Sequence, residues 1–138
     1  MKAGAATCIA AAVVLTGCDL AFQHTIAGPY KLQPVEQNTQ MIVAYDLGGG
    51  NYIGRVEESV FAVGANTRYV VAARHPHEPG YTPVDKTITE YFYIDRAADQ
   101  PLADPSLAVR GPFDAQAFAG EKRRMGLPEF SREIAELK

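Results

Sequence analysis

Arg68-Tyr69-Val70-Val71-Ala72-Ala73-Arg74 is the stretch on which the fold turns. Between its two arginines stand five residues that are apolar apart from one phenolic hydroxyl. A strand with one wet face alternates polar and apolar residues, because successive side chains leave opposite faces. Here the alternation is missing over the whole run, which predicts a central strand covered on both sides.

Moving outward, Val60 and Ala62 alternate with Phe61 and Val63 over Ser59 to Gly64. Ala65-Asn66-Thr67 turns that segment back onto the central one, with Asn66 the residue best suited to a left-handed backbone. Further upstream, Met41 to Leu47 places Met41, Val43, Tyr45 and Leu47 on one face. Gly48-Gly49-Gly50-Asn51 then makes a flexible hairpin tip, and Tyr52 to Val56 resumes the strand pattern. Tyr30 to Val35 reads as a first strand, with Pro34 suiting a sheet edge. Downstream, the prolines of His75 to Pro83 make a loop, and Thr87 to Asp95 is rich in β-branched and aromatic residues, as strands are. Ala97 to Arg110 reads as irregular connection.

A helix follows. Asp114 is its N-cap, Phe113 and Phe118 form a hydrophobic staple, and Lys122, Arg123 and Arg124 sit in the last turn, where the helix dipole favours cations. Gly126 and Pro128 stop it. Phe130, Ile134 and Leu137, at i, i+4 and i+7, predict one face of a second short helix. The expected fold is therefore α+β: an antiparallel sheet of five or six strands in meander order, with two short C-terminal helices.

The N-terminal end has its own logic. Lys2 gives a positive start, Ala5 to Leu15 is apolar, and Leu15-Thr16-Gly17-Cys18 ends the run. The run falls short of the ~20 residues needed to cross a bilayer, so a secretory signal is the reading. The motif resembles the lipobox of bacterial lipoproteins. That resemblance implies cleavage between Gly17 and Cys18 and acylation of Cys18, hence a palmitate-type anchor on the periplasmic face of a cell membrane. Asp19 resembles an inner-membrane retention signal, which leaves inner against outer membrane open. Residues 1–17 are then the signal, 18–27 a lipidated tether and 28–138 a single α+β domain. The nine residues after Cys18, Asp19 to Ala27, span at most about 30 Å.

Removing residues 1–17 leaves 121 of the 138 residues, and with Lys2 gone the net charge moves from −3 to −4. An acidic domain argues against nucleic acid as a partner. Cys8 and Cys18 are the only cysteines, so the domain has no thiol left for a disulfide and depends on its packed core.

A second resemblance covers most of the mature chain. Tyr45-Asp46-Leu47-Gly48, Val60-Phe61-Ala62-Val63-Gly64, Arg68 to Pro76, Thr89 to Asp95 and Gly111-Pro112 occur in an order similar to small bacterial lipoproteins grouped only as a domain of unknown function. It implies one extracytoplasmic domain and no assigned activity.

For chemistry, His75-Pro76-His77-Glu78 offers two imidazoles and a carboxylate to a metal, with Asp85 or Asp95 as a further ligand. The simpler reading is a polar proline-rich loop. Gly48 to Asn51 lacks the lysine and helix start of a phosphate loop. Ser59, Ser106 and Ser131 lie outside any Gly-x-Ser-x-Gly setting. Asp46 and Asp95 would need to converge to act as an acid/base pair. No catalytic residue and no cofactor is nominated. Tyr45, Tyr69, Tyr91 and Tyr93, with Asp95, make a candidate binding surface, since tyrosine is enriched at interfaces; the competing reading is half-buried core. The function these features point to is a non-catalytic binding or interaction module with an envelope protein as partner. The alternative is a metal-binding protein or hydrolytic enzyme built on His75 to Asp95.

Overall fold

The computed structural model describes residues 23–77 and 84–138, and among them nine strands and one α-helix. Strands β1 (His24–Ala27), β2 (Tyr30–Pro34), β3 (Met41–Gly48) and β4 (Asn51–Val56) form one antiparallel sheet in chain order. Strands β5 (Val60–Ala65), β6 (Tyr69–Arg74), β7 (Glu90–Asp95) and β8 (Val109–Phe113) meander likewise into a second. The two-residue β9 (Arg132–Glu133) joins the free side of β5, giving the order β8-β7-β6-β5-β9. Helix α1 (Ala115–Met125) lies on the outer face of this second sheet.

The apolar run is β6, the middle strand of five, and both its faces are covered as its composition requires. Val70 and Ala72 point into a core shared by the two sheets, with Tyr30, Leu32, Met41, Val43, Val60 and Ile94. Tyr69 and Val71 point the other way, under Phe118 and Leu127 from the helix and its exit. The molecule thus has three layers, sheet on sheet on helix, with a separate cluster in each gap.

Helix α1 starts and stops where its caps dictate. Asp114 accepts from the Ala117 amide at 2.7 Å, and Gly126 takes the left-handed conformation at φ 67° and donates to the Lys122 carbonyl. The tip of the β3–β4 hairpin has positive φ at both Gly49 and Gly50, the requirement of its tight turn. Asn66 behaves differently from expectation. Positive φ is confined to glycines among the described residues, and Asn66 makes its turn with the side chain, whose Oδ1 accepts from the Arg68 and Tyr69 amides.

Four features correct the sequence reading. The strands divide between two sheets rather than forming one sheet of five or six. The expected tether at 18–27 gives its last four residues to β1, because His24 to Ala27 pair with β2. Part of the segment read as irregular, with Gly111-Pro112 after it, is β8, which pairs with β7. The second C-terminal helix is replaced by β9 and a terminal turn. Isolated helices that short are marginal, whereas β5 offers an unpaired edge. Ser131 donates to the Val63 carbonyl and Ile134 to that of Phe61. Gly64 makes the approach feasible, since a Cβ there would collide with the Glu129 carbonyl.

Candidate functional site

The β2–β3 pair has two ends, and the sandwich treats them differently. At the first end, Tyr30 and Tyr45 stand opposite one another. Beneath them Arg55 of β4 meets Asp99 from the β7–β8 connection, with side chains 0% and 1% exposed. The Arg55 Nε donates to both Asp99 oxygens, at 3.0 and 2.8 Å, and its Nη2 donates to the Gln100 and Pro101 carbonyls. The Tyr30 hydroxyl donates to Asp99 Oδ2 at 2.9 Å. Burial, and then this hydrogen bond, hold the Tyr30 phenol above its ordinary range. The Arg55 guanidinium also stacks 5.0 Å over the Tyr45 ring. Every charge here has a partner, as a buried pair needs to offset desolvation. A shallow cleft of about 500 Å³ lies over the group, with Arg68 and Arg96 at its rim.

The candidate tyrosine surface is divided between layers. Tyr45 lines that cleft, and Asp95 sits at the same end, 4.0 Å from Arg68. Tyr69 and Tyr93 are only 2% and 5% exposed, beneath α1, and Tyr91 stacks on Phe118 at 5.0 Å. Tyr69 and Tyr93 are core and Tyr91 is half-buried beside them, because the chain supplies its own cover. The Tyr93 hydroxyl donates to Glu121 of the helix at 3.0 Å. Burial first, then that bond, raise its phenol, while Arg124 holds the Glu121 carboxyl below its usual range. The Tyr69 hydroxyl is buried without a partner among the described residues. Asp46 and Asp95 are engaged separately, Asp46 lying on the first sheet 4.0 Å from Lys31.

His75 is 3% exposed and stacks on Phe61 at 4.5 Å. Its Nδ1 lies 2.7 Å from the Ile88 carbonyl. A carbonyl only accepts, so Nδ1 is the donor here and Nε2 is the ring's other polar atom. That Nε2 is buried without a partner among the described residues. His77 is half-buried and Glu78 lies outside the described residues. Among the described residues no three His, Cys, Asp or Glu side chains come together as a metal would require.

The second end of β2–β3 holds a half-enclosed cavity of about 430 Å³. Met41 opens β3, and Asn38 and Thr39 come from the turn before it. His24 begins β1, while Arg132 and Glu133 form β9, and Ile134, Glu136 and Leu137 belong to the terminal turn. Local bonds hold these walls. Ser59 Oγ donates to the Thr39 carbonyl at 2.8 Å, Leu137 donates to the Ile134 carbonyl, and Lys86 Nζ donates to the Glu136 carbonyl. Met41, Ile134 and Leu137 make an apolar interior. Glu133 is paired with Lys138 at 3.0 Å, but Arg132 and Glu136 have no ion-pair partner among the described residues. His24 is held below its ordinary pKa by burial and then by the Arg132 charge. An apolar interior with a few charged groups at its mouth is the usual form of a small-ligand site.

Sequence reading missed this cavity for a physical reason. Phe130, Ile134 and Leu137 are at least half-buried, but they flank a two-residue strand and enter a turn, in an arrangement that mimics helical spacing. Asp99 stood in a segment without periodicity, so nothing pointed to its pairing with Arg55. Gly17 and Cys18 lie outside the described residues. Among those described, no helix is long and apolar enough to cross a membrane. Compared with known proteins, the chain matches no family model, no curated protein and no solved structure.

Proposed function

We propose that the protein is a lipid-anchored domain of the bacterial cell envelope that works by binding rather than by catalysis. In this reading residues 1–17 are removed, Cys18 is acylated, and the domain stands on the periplasmic face of a membrane with an envelope protein as its partner. The observation that carries the reading is the sequence Leu15-Thr16-Gly17-Cys18 followed at once by structure: β1 begins six positions after the cysteine. Several acyl chains, at about 0.8 kcal/mol per buried methylene, make a lasting anchor where one chain is marginal.

The placement of β1 sharpens the anchor. Five residues lie between Cys18 and His24, a length that even fully extended backbone carries at most about 18 Å. The domain is therefore held against the headgroups with the His24 end foremost.

The reading is tested by growing cells with a radioactive fatty acid. The full-length protein takes up label, and Cys18→Ser abolishes it; label that persists in the variant contradicts the proposal. In-cell crosslinking of the lipidated form then identifies the envelope protein that co-purifies.

A further inference from the structure

The cavity at the His24 end brings together three features. Its interior is apolar, from Met41, Ile134 and Leu137. Its lining carries one cation and one anion, Arg132 and Glu136, that no described side chain neutralises. It is also lined by His24, which stands six positions after Cys18, a separation that extended backbone spans in at most about 20 Å. We infer that this cavity takes one acyl chain of a zwitterionic membrane phospholipid, with the phosphate on Arg132 and the ammonium on Glu136. The inference rests on the proposed anchor, which brings the cavity to the lipid.

Charge complementarity selects this occupant. A free fatty acid would satisfy Arg132 but set a second carboxylate near Glu136. A neutral hydrocarbon would leave both charges unused while covering them. A phosphate accepts the planar guanidinium fork in bidentate fashion, and the adjoining ammonium answers the carboxylate. The cavity lies at the small end of the range for ligand sites, which suits one chain. Burying that chain supplies the affinity, and each methylene removed weakens binding about fourfold.

The opposite end does not compete for this role. Its cleft is open, its Asp99 and Arg55 are already paired, and Arg96 is committed to the Asn66 carbonyl.

The test uses the lipidated protein in phosphatidylcholine vesicles that carry a phosphatidylethanolamine with a photoreactive group at the end of one acyl chain. Mass spectrometry should place the crosslink on Met41 or on the Ile134 to Leu137 segment. Asn38→Trp, which blocks the mouth from an exposed turn, and Arg132→Glu should each cut that labelling about tenfold, equivalent to about 1.4 kcal/mol. Lysophosphatidylethanolamine should compete, about fourfold less well for each methylene taken from its chain. Labelling spread over the surface, or undiminished in both variants, overturns the inference. Equal competition by a free fatty acid of the same length overturns the zwitterionic assignment. The mass of the N-terminal peptide reads the anchor separately. Acylated Cys18 without cavity labelling defeats only the inference, whereas cavity labelling without acylation defeats only the anchor.

Discussion

The two ends of the β2–β3 pair are built from similar materials and finished in opposite ways. At the Tyr30 end an arginine and an aspartate are buried together, and a tyrosine and two carbonyls take up further bonding capacity. At the His24 end an exposed arginine and an exposed glutamate, without ion-pair partners among the described residues, stand beside an apolar hollow. Buried charge is tolerated when it is fully partnered, and an empty apolar space forfeits contacts that a closed core would make. The first end is therefore finished as structure, while the second is an apolar hollow whose charged lining is exposed to solvent.

The largest effects should come from breaking the finished end. Asp99→Ala leaves the Arg55 guanidinium buried without its carboxylate and should lower stability by about 3–5 kcal/mol, read by urea unfolding. A loss below about 1 kcal/mol would mean that the pair is not structural. Phe118→Ala should cost about 3 kcal/mol or more, because one side chain anchors α1 on the aromatic layer. In this variant Tyr91 and Tyr93 should become accessible to iodination, the measurement that separates lost cover from general unfolding.

Smaller effects sharpen the contrast between partnered and unpartnered groups. Tyr30→Phe removes a hydroxyl that donates to Asp99 and should cost about 1–2 kcal/mol. Tyr69→Phe removes a hydroxyl with no partner among the described residues and should be neutral or stabilising by up to about 1 kcal/mol. Equal losses for the two would deny that hydrogen bonding distinguishes them. Thermal melts of both variants decide it.

The smallest effect lies at the His24 end. His24 titrates below its ordinary 6.5, through burial and then Arg132. Between the lowered value and 6.5 the unfolded chain binds the proton more readily than the folded one, so stability rises with pH there. The contribution is present above 6.5 and is lost as pH falls through that window. Arg132→Ala should bring the His24 titration, followed by NMR, up toward 6.5. No movement would place Arg132 away from the ring.

Much of this arrangement is legible in the chain. The unbroken apolar run of β6 foretold cover on both faces, and Asp114, Phe118 and Gly126 foretold the helix. Sheet membership was not legible, because the alternation in β3 and in β5 says which face is inward without saying which sheet it faces. The tail misled because Phe130, Ile134 and Leu137 keep helical spacing while β5 offers backbone bonds that a short helix cannot match. The tyrosines misled in part: an aromatic strand face looks the same whether a partner or the protein's own helix covers it. The unpaired state of Arg132 and Glu136 depends on contacts far apart in the chain, to which no local pattern is sensitive.

In the proposed arrangement the His24 end meets the membrane and the Tyr30 end does not. Hydrogen exchange of the full-length protein, in phospholipid vesicles against a lipid-free amphipathic polymer, tests it most directly. The vesicles should add protection at the start of β1, at the Asn38–Thr39 turn and from Arg132 to Leu137, with Arg96 to Asp99 unchanged. Added protection at Arg96 to Asp99, or at neither end, would contradict it.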